Sequence, residues 1–428
     1  MSSKQTKTIH VYADWVGLGE KNKRVGELSA IPSRGREIFS FSYKESWLEN
    51  SFAMSIDPDL GNYTGPQYLH DDKKSNFGIF LDSSPDRWGR LLMRRREALD
   101  AREQKRPERT LLESDYLLGV HDESRMGGLR FKTSTDGMFL DGNKNRATPP
   151  WASLRELEHA SLQLEKDTAP DDPDYRRWLD MLISPGSSLG GARPKASVKD
   201  PKNQLWLAKF PSGNDNVDIG AWEMLVNILA KKCSLHVTEA KLKRFNCNHR
   251  TFLSKRFDRT SSGKRVHFAS AMTMLGYIDG NDHLDGVSYL EIAEFLIKHG
   301  ENSKRDLEEV WKRIVFSICV SNTDDHLRNH GFVLGRKGWS LSPAYDLNPV
   351  PTGTGLKLNI SENDNSLDLE LAKSVKEYFR VSEAKSAKII DDVVKNVRQW
   401  KSIATQLNIP RQEQELMAAS FRAIEPGS

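Results

Sequence analysis

The sequence predicts an α+β fold with two lobes. Strand-like segments dominate the first part of the chain, and the character changes to helical after Asp258. Residues 319–347 also carry a compact group of polar side chains on either side of two short apolar runs. A strand-rich part, a helix-rich part and a polar site between apolar elements are together typical of a two-lobed enzyme.

Length and composition set the limits of this prediction. The chain has 428 residues, which favours two or three domains. It is 37% hydrophobic and 29% charged, as ordinary globular proteins are, so no disorder is indicated. Its net charge of +4 is weakly basic and neither requires nor excludes a nucleic-acid partner.

Cysteine usage and hydropathy predict the compartment. The three cysteines, Cys233, Cys247 and Cys319, form no close pair, so neither a disulfide framework nor a zinc site is expected. The first residues lack the apolar core of a signal peptide, and the chain has no apolar run of about 18 residues. We therefore expect a soluble, cytoplasmic protein without a membrane partner.

The first part of the chain reads as strands followed by helices. Strands are predicted at 8–15, 25–28 and 38–43, the last with alternating apolar and polar residues. A helix then runs through Arg94-Arg95-Arg96, a basic run that we interpret as a solvated helix face rather than a phosphate or nucleic-acid patch. Residues 140–150 end in two prolines and predict a linker.

A Gly- and Ser-rich stretch, SPGSSLGGARPKAS, covers residues 184–197. Glycines allow backbone N–H groups to approach phosphates closely. The stretch matches neither the P-loop nor the dinucleotide fingerprint, so a phosphate-binding loop and an ordinary flexible loop both stay open.

Lys209 lies near the end of the next predicted strand, residues 204–210. A strand lysine of this kind contacts ATP phosphates in kinases, whereas elsewhere its ammonium group simply reaches water. Glu223 lies on a helix predicted at 219–232 and would be the partner of Lys209 in a kinase.

The polar group itself has kinase-like spacing. Asp324 is followed five residues later by Asn329, a predicted hairpin spans 332–341, and Asp346 lies beyond it. Protein kinases place a catalytic Asp, a metal-binding Asn and a metal-binding Asp in this way. The alternative is that these residues only shape turns, which Asp and Asn favour.

Taken together, these stretches resemble the HipA family of bacterial serine/threonine kinase toxins over nearly the whole chain. The resemblance is carried by LDSSPDRWGRLL, DYLLGVHDESRMGGLRF, SSLGGARPKA, WLAKFP, KRFDR, SNTDDHLRNHGF and LSPAYDLNP. It implies a protein-kinase-like fold with an extra N-terminal β-rich subdomain (1–145), a kinase N-lobe (146–258) and an all-helical C-terminal lobe (259–428).

The resemblance also implies roles for single residues. Asp324 would be the catalytic aspartate with His326 in support, Asn329 and Asp346 would hold Mg²⁺, and Lys209 would contact the ATP phosphates. Nucleotide contacts are further implied for the loop residues Ser188, Gly190, Gly191, Ala192, Arg193 and Lys195, and for Lys255 and Phe257 beside the adenine. The family typically has an acidic residue where Lys255 stands, so only backbone recognition carries over there.

Regulation and partners follow from the same resemblance. It implies inhibitory autophosphorylation of Ser188, with Ser187 as the adjacent candidate. It further implies a HipB-like helix-turn-helix antitoxin, DNA contact only through that complex, and a protein substrate such as an aminoacyl-tRNA synthetase. Two alternatives stay open: a metal-dependent phosphoesterase built on Asp324, Asp325, His326 and Asp346, and an inactive kinase fold that acts as a co-repressor.

Overall fold

The computed structural model of the protein describes residues 6–19, 22–49, 55–140, 148–183 and 191–425. Residues 184–190 of the predicted Gly-rich loop, among them Ser187, Ser188 and Gly190, lie outside the described residues. Within the described part, no helix is long and apolar enough to cross a membrane. Among the same described residues, Cys233, Cys247 and Cys319 form no disulfide.

Two compact units divide the chain, and each is built from two segments. The first unit comprises residues 1–213 and 258–269, and the second comprises residues 214–257 and 270–428. The domain boundaries expected after residues 145 and 258 stay predictions.

The part of the chain up to residue 213 contains both strands and helices. The strands are β1 (Lys7–Ala13), β2 (Lys23–Ser33), β3 (Arg36–Tyr43), β4 (Gln67–Tyr68), β5 (Leu129–Lys132), β6 (Lys195–Lys199) and β7 (Leu205–Lys209). The helices are α1 (Glu45–Leu48), α2 (Gly78–Asp82), α3 (Arg87–Glu103), α4 (Glu113–Leu118), α5 (Leu154–Leu164) and α6 (Tyr175–Ile183).

The remaining elements are mainly helical. The C-terminal lobe is not all-helical as the resemblance implied, because three short strands between residues 268 and 341 pair into a sheet. The strands are β8 (Ala240–Lys243), β9 (Thr251–Lys255), β10 (Phe268–Ser270), β11 (Gly331–Leu334) and β12 (Trp339–Leu341). The helices are α7 (Ile219–Lys232), α8 (Ala271–Met274), α9 (Tyr289–His299), α10 (Ser303–Val320), α11 (Leu369–Ser374), α12 (Glu383–Val397), α13 (Trp400–Gln406) and α14 (Arg411–Met417).

The N-terminal sheet has the strand order β4-β3-β2-β1-β5. Strands β2 and β3 form a two-residue hairpin, because Ser33 pairs with Arg36 and only Arg34 and Gly35 lie between them. Both loop residues have positive φ, 47° and 85°, which is the turn that matches the twist of paired strands. Alternate side chains of β1, such as those of Ile9 and Val11, are fully buried, because successive side chains of a strand point to opposite faces of the sheet.

Strands β6 and β7 form an antiparallel pair in which Lys195 lies opposite Lys209. The sequence predicted a loop up to Ser197, but the structure begins a strand at Lys195. That expectation was wrong because β6 buries the polar residues Lys195 and Ser197 together with Ala196 and Val198, and this burial depends on partners far away in the sequence. Helix α6 was not predicted, although its buried residues have helical spacing: Tyr175, Trp178, Leu179 and Leu182.

Residues 258–269 are fixed to the first unit by buried polar contacts. The Asp258 carboxylate accepts a hydrogen bond of 2.9 Å from the backbone nitrogen of Gly127. The Arg259 guanidinium donates to the carbonyls of Glu123 and Arg125, each at 3.0 Å. Arg265 donates to the carbonyl of Asp122 at 2.6 Å. Charge-assisted bonds of this kind hold the segment in one position.

Helix α10 forms the centre of the second unit. Its apolar residues recur three and four positions apart and are fully buried: Leu307, Val310, Trp311, Ile314, Val315 and Ile318. The indole nitrogen of Trp311 donates to the carbonyl of Ala372 on α11, 2.8 Å away. The helix therefore has a fixed place in the core, and its end gives the following loop a fixed starting point.

Candidate active site

The loop that carries Asp324 begins where α10 ends. Ser321 terminates the helix in the left-handed conformation, with φ of 46°. Few residues other than Gly and Asn adopt this conformation readily, and its strain is common beside functional sites. The chain therefore leaves the helix axis at once and enters the segment Asn322–His330, called here the catalytic loop.

Asp324 and Asn329 are joined within the catalytic loop. The Asn329 side chain is buried, and its amide nitrogen donates to the carbonyl oxygen of Asp324 at 3.0 Å. The Asp324 side chain is exposed. A buried amide that fixes the backbone beneath an exposed carboxylate is a suitable arrangement for a group that must meet an external substrate.

Asp325 anchors the same loop from the other side. Its buried carboxylate accepts a hydrogen bond of 2.5 Å from the hydroxyl of Tyr289 on α9 and lies 3.1 Å from Nε2 of His330. Burial acts to raise the pKa of Asp325, but His330 and the Tyr289 hydroxyl outweigh it and hold that pKa below its ordinary value. Asp325 is therefore an internal anchor of the loop.

His326 follows these two aspartates and is partly buried. Its Nδ1 atom is buried and has no hydrogen-bond partner among the described residues. The supporting catalytic role of His326 stays a prediction.

The hairpin predicted between the catalytic loop and Asp346 is present. Strands β11 and β12 pair in register, with Phe332 opposite Leu341. The chain then reaches Asp346, which has a positive φ of 57°. The Asn348 amide nitrogen donates to Oδ1 of Asp346 at 2.9 Å. We call residues 345–350 the metal-loop candidate.

Hydrogen bonds join the metal-loop candidate to the catalytic loop at two points and to Ser321, the residue before that loop, at a third. The backbone nitrogen of Asn348 donates to Oδ1 of the buried Asn322 at 3.1 Å. The backbone nitrogen of Val350 donates to the carbonyl of Ser321 at 3.0 Å. The Tyr345 hydroxyl donates to the carbonyl of Arg328 at 2.8 Å. The structure thus brings the segments that carry Asp324, Asn329 and Asp346 together.

Glu223 lies on the same side of this unit as Asp346, because both residues line one small cleft. The cleft has an empty volume of about 250 Å³, and the other residues that line it are Asn227, Thr238, Phe252, Ser254, Ala344, Tyr345 and Leu347. The Glu223 side chain is buried on α7. Lys209 lies at the end of β7 in the first unit, so its pairing with Glu223 stays a prediction.

The residues expected beside the nucleotide have distinct surroundings. Gly191 has a positive φ of 97°, and Ala192 is exposed. Lys195, in contrast, is buried, and its Nζ atom lies 2.9 Å from Oδ2 of Asp86. The roles of Ser188, Gly190, Gly191, Ala192, Arg193 and Lys195 stay predictions.

Lys255 and Phe257 lie at and just after the end of β9. The backbone nitrogen of Lys255 donates to the carbonyl of Glu239 at 2.8 Å. The Phe257 ring stacks on Tyr345, with centroids 5.5 Å apart. A contact of either residue with adenine stays a prediction, but Phe257 does lie against the metal-loop candidate.

The side chains of the candidate metal site can be compared with the ligands that Mg²⁺ prefers. Mg²⁺ takes oxygen ligands and commonly binds one or two protein side chains together with substrate phosphates. Asn329 and Asp346 offer one amide and one carboxylate, which suits such shared coordination. Among the described residues, no group of three or more His, Cys, Asp and Glu is arranged to hold a metal by itself.

Sequence reasoning missed the residues that connect the site. Asn322, Asp325, Tyr289, His330 and Asn348 received no positioning role, although Asn322 and Asn348 flank the candidate aspartates in the sequence. Their position beside the candidate aspartates was the feature of the sequence that could have indicated a positioning role.

Comparisons with known proteins agree with the fold. A protein of Haemophilus influenzae, whose name describes it as a proposed kinase, is 29% identical over 187 residues, which cover 39% of this chain and 54% of that protein. A second proposed kinase, Y4dM of Sinorhizobium fredii, is 29% identical over 154 residues, which cover 33% of this chain and 36% of that protein. The chain thus spans about half or less of the curated relatives it matches.

A solved structure extends the likeness to the whole chain. HipA of Shewanella oneidensis MR-1, in complex with HipB and operator DNA, has a TM-score of 0.63 and 17% identity, and the match covers 97% of this chain and 95% of that one. This confirms the predicted α+β fold of the HipA, protein-kinase-like type. The sequence pattern of the HipA-like C-terminal domain matches residues 187–401, half of the chain, and this protein therefore belongs to the HipA family.

Proposed function

We propose that this protein is an ATP-dependent serine/threonine protein kinase and the toxin of a toxin–antitoxin system. The observation that carries the proposal is the connection between the catalytic loop and the metal-loop candidate. Asn322 and Asn348 join the two segments through a bond of 3.1 Å. A phosphotransferase needs this connection because its catalytic Asp and its metal ligands must act on one phosphoryl group.

In the proposed reaction, a substrate hydroxyl attacks the γ-phosphorus of ATP. The new O–P bond forms as the bond to the β-phosphate oxygen breaks, ADP leaves, and the hydroxyl proton passes to the exposed Asp324 carboxylate. Asn329 and Asp346 would hold Mg²⁺, which supplies positive charge to the phosphates when bound. Lys209 would add a second positive charge there.

The proposed partners follow from family membership. The Shewanella oneidensis protein was solved together with HipB and operator DNA. We propose a HipB-like helix-turn-helix antitoxin for this chain, with DNA contact through that complex. The proposed substrate is a protein of translation such as an aminoacyl-tRNA synthetase, and the proposed place of action is the cytoplasm.

Self-inhibition is proposed for the Gly-rich stretch. Phosphorylation of Ser188, or of the adjacent Ser187, would add about −1.5 to −2 charges and three acceptor oxygens. That group would compete with ATP phosphates for backbone N–H groups of the same stretch.

The decisive experiment is autophosphorylation with Mg-ATP, with the phosphate located by mass spectrometry. We expect label on the wild type, none on Asp324→Ala, and lost or relocated label on Ser188→Ala. Label that survives in Asp324→Ala would overturn the assignment of the catalytic loop. Nucleotide binding without label on any form would favour the co-repressor, and phosphoester hydrolysis without nucleotide would favour the phosphoesterase.

A further inference from the structure

A buried ion pair connects the start of α3 with the start of β6. The Nζ atom of Lys195 lies 2.9 Å from Oδ2 of Asp86, and the two side chains are 2% and 1% exposed. Asp86 belongs to the SSPDRWG motif near residue 85, to which the proposed reaction gives no task. Full burial of both charges indicates that each depends on the other.

The helix fixes the Asp86 carboxylate. Its Oδ1 atom accepts a hydrogen bond of 2.8 Å from the backbone nitrogen of Gly89, so that Asp86 is the N-cap of α3. A side chain at position 89 would meet the Cβ atom of Pro85 at 2.8 Å, which shows how closely this turn is packed. One oxygen of Asp86 thus holds the helix while the other holds the lysine.

Lys195 transmits this fixed position to the backbone of the second half of the Gly-rich stretch. Its Nζ atom also donates to the carbonyl oxygen of Gly191 at 3.1 Å. Gly191 has the positive φ that begins the turn into β6. The ion pair therefore determines where the backbone of this turn lies relative to α3.

The same pair influences the charge near Lys209. Lys195 and Lys209 are directly opposed on β6 and β7, and opposed side chains of an antiparallel pair lie on one face of the sheet. Two opposed ammonium groups repel each other, and the Asp86 carboxylate offsets the charge of one of them.

We propose that Asp86 is a positioning residue for the nucleotide, acting through Lys195. In this proposal, which rests on the proposed kinase function, Lys195 is an internal anchor and not a phosphate ligand. Asp86 and Lys195 fix the Gly191 turn and balance the charge beside Lys209. The SSPDRWG motif would thereby make ATP binding depend on an element that precedes the family's C-terminal domain in the sequence.

The test uses Asp86→Asn in the full-length protein. Asn caps helices as well as Asp does, so the cap is retained while the charge is lost. Binding of a non-hydrolysable ATP analogue with Mg²⁺ is measured by calorimetry, and KM for ATP and kcat are measured separately. We expect the Kd of the analogue and the KM for ATP to rise about tenfold and kcat to change less than about twofold, since positioning is lost while Asp324 is retained.

Two further variants make the result interpretable. Asp122→Asn makes the same substitution in another buried ion pair of the first unit, with Arg265, and should lower Tm without changing nucleotide affinity. The double variant Asp86→Asn with Lys195→Met removes both charges, so it replaces the single variant if that one does not fold, and it should also bind the analogue about tenfold more weakly.

The outcomes separate this inference from the proposed function. A lowered Tm with wild-type nucleotide affinity in both Asp86 variants would overturn the positioning role alone. A wild type that binds no nucleotide would overturn the positioning role together with the kinase function.

Discussion

The buried side chain of Asn322 accepts a hydrogen bond from the backbone nitrogen of Asn348, and these two atoms are 3.1 Å apart. Asn348 in turn donates its side-chain amide to Oδ1 of Asp346. One residue of the metal-loop candidate is thus held to the catalytic loop through its backbone and to a proposed metal ligand through its side chain. Partners of a metal ligand commonly set its orientation.

Substitution of Asn348 by Ala should weaken metal binding. The variant loses the donor that fixes Asp346 but keeps its backbone bond to Asn322, so Tm should change little. We expect Mn²⁺, used as a spectroscopic substitute for Mg²⁺, to bind about 10- to 100-fold more weakly. Electron paramagnetic resonance titration of the nucleotide-free protein measures this affinity.

Asn396→Ala is the control for Asn348→Ala. Asn396 also donates its side-chain amide, to the carbonyl of Asp392 on α12, and the Asn396→Ala variant should bind Mn²⁺ as the wild type does. Unchanged metal affinity in Asn348→Ala, beside a clear loss in Asp346→Ala, would show that Asn348 has no part in orienting the ligand.

Replacement of Asp325 by Asn should destabilise the protein at neutral pH. Because the folded-state pKa of Asp325 lies below its ordinary value, the carboxylate adds stability above the unfolded-state pKa of about 3.9. That contribution is lost as pH falls through the folded-state pKa. We expect a loss of about 1–3 kcal/mol at pH 7 and a smaller loss below about pH 4. Urea unfolding at both pH values measures it.

The neighbouring exposed residue provides the comparison for Asp325. Asp324→Asn should remove kinase activity while leaving the free energy of unfolding within about 0.5 kcal/mol of the wild type. Equal destabilisation by the two substitutions would contradict the anchoring role of Asp325.

Ser321→Gly should stabilise the fold. Ser321 has a left-handed φ of 46°, which costs a non-glycine residue about 1–2 kcal/mol. Its buried hydroxyl also has no hydrogen-bond partner within the described ranges. We expect the free energy of unfolding to rise by about 1 kcal/mol, which moves the urea midpoint upward.

A second residue with a left-handed backbone conformation separates the two expected causes of stabilisation in Ser321→Gly, namely the relief of backbone strain and the removal of a buried hydroxyl. Arg380 is exposed and has a φ of 56°, so Arg380→Gly should give the conformational gain without any effect of a buried hydroxyl. A lower midpoint for Ser321→Gly would mean that the conformation is not strained there.

Deprotonation of Asp57 should lower the free energy of unfolding as pH rises. Complete burial raises the pKa of Asp57 to about 6, although the backbone nitrogens of Ile79 and Asp59 donate to it. The folded state therefore binds the proton more tightly than the unfolded state, whose pKa is about 3.9. Between about pH 4 and pH 6, deprotonation disfavours folding by about 3 kcal/mol in total.

Asp57→Asn measures this effect because it removes the titration. The free energy of unfolding of the variant, minus that of the wild type, should increase by about 3 kcal/mol from pH 4 to pH 7. A difference that stays constant over this range would show that Asp57 does not titrate there.

Much of the fold could be predicted from periodic apolar residues. The predicted helix at 219–232 is confirmed as α7 with the same bounds, because its buried side chains recur at helical spacing. Strand β6 could not be predicted, since its buried positions include a serine and a lysine whose environment comes from distant residues. Asp86, which neutralises that lysine, lies more than 100 positions earlier in the chain.

In the candidate site, too, the sequence could indicate only what depends on residues close together in the chain. The spacing of Asp324 and Asn329 is local, so the sequence could indicate that pair, and the structure places their side chain and backbone in contact. Of the two partners of Asp325, His330 is equally local, whereas Tyr289 comes from α9, and only the folded chain brings it to the loop. Local spacing predicts candidate residues, whereas their burial and electrostatics depend on non-local packing.

The placement of residues 258–269 has a consequence for biosynthesis. The first unit takes its last polar contacts from Arg259 and Arg265, which emerge from the ribosome after residues 214–257 of the second unit. The first unit therefore cannot complete these contacts until residues 214–269 have all been synthesised. Chains ended near residue 213 would leave the carbonyls of Asp122, Glu123 and Arg125 without these donors.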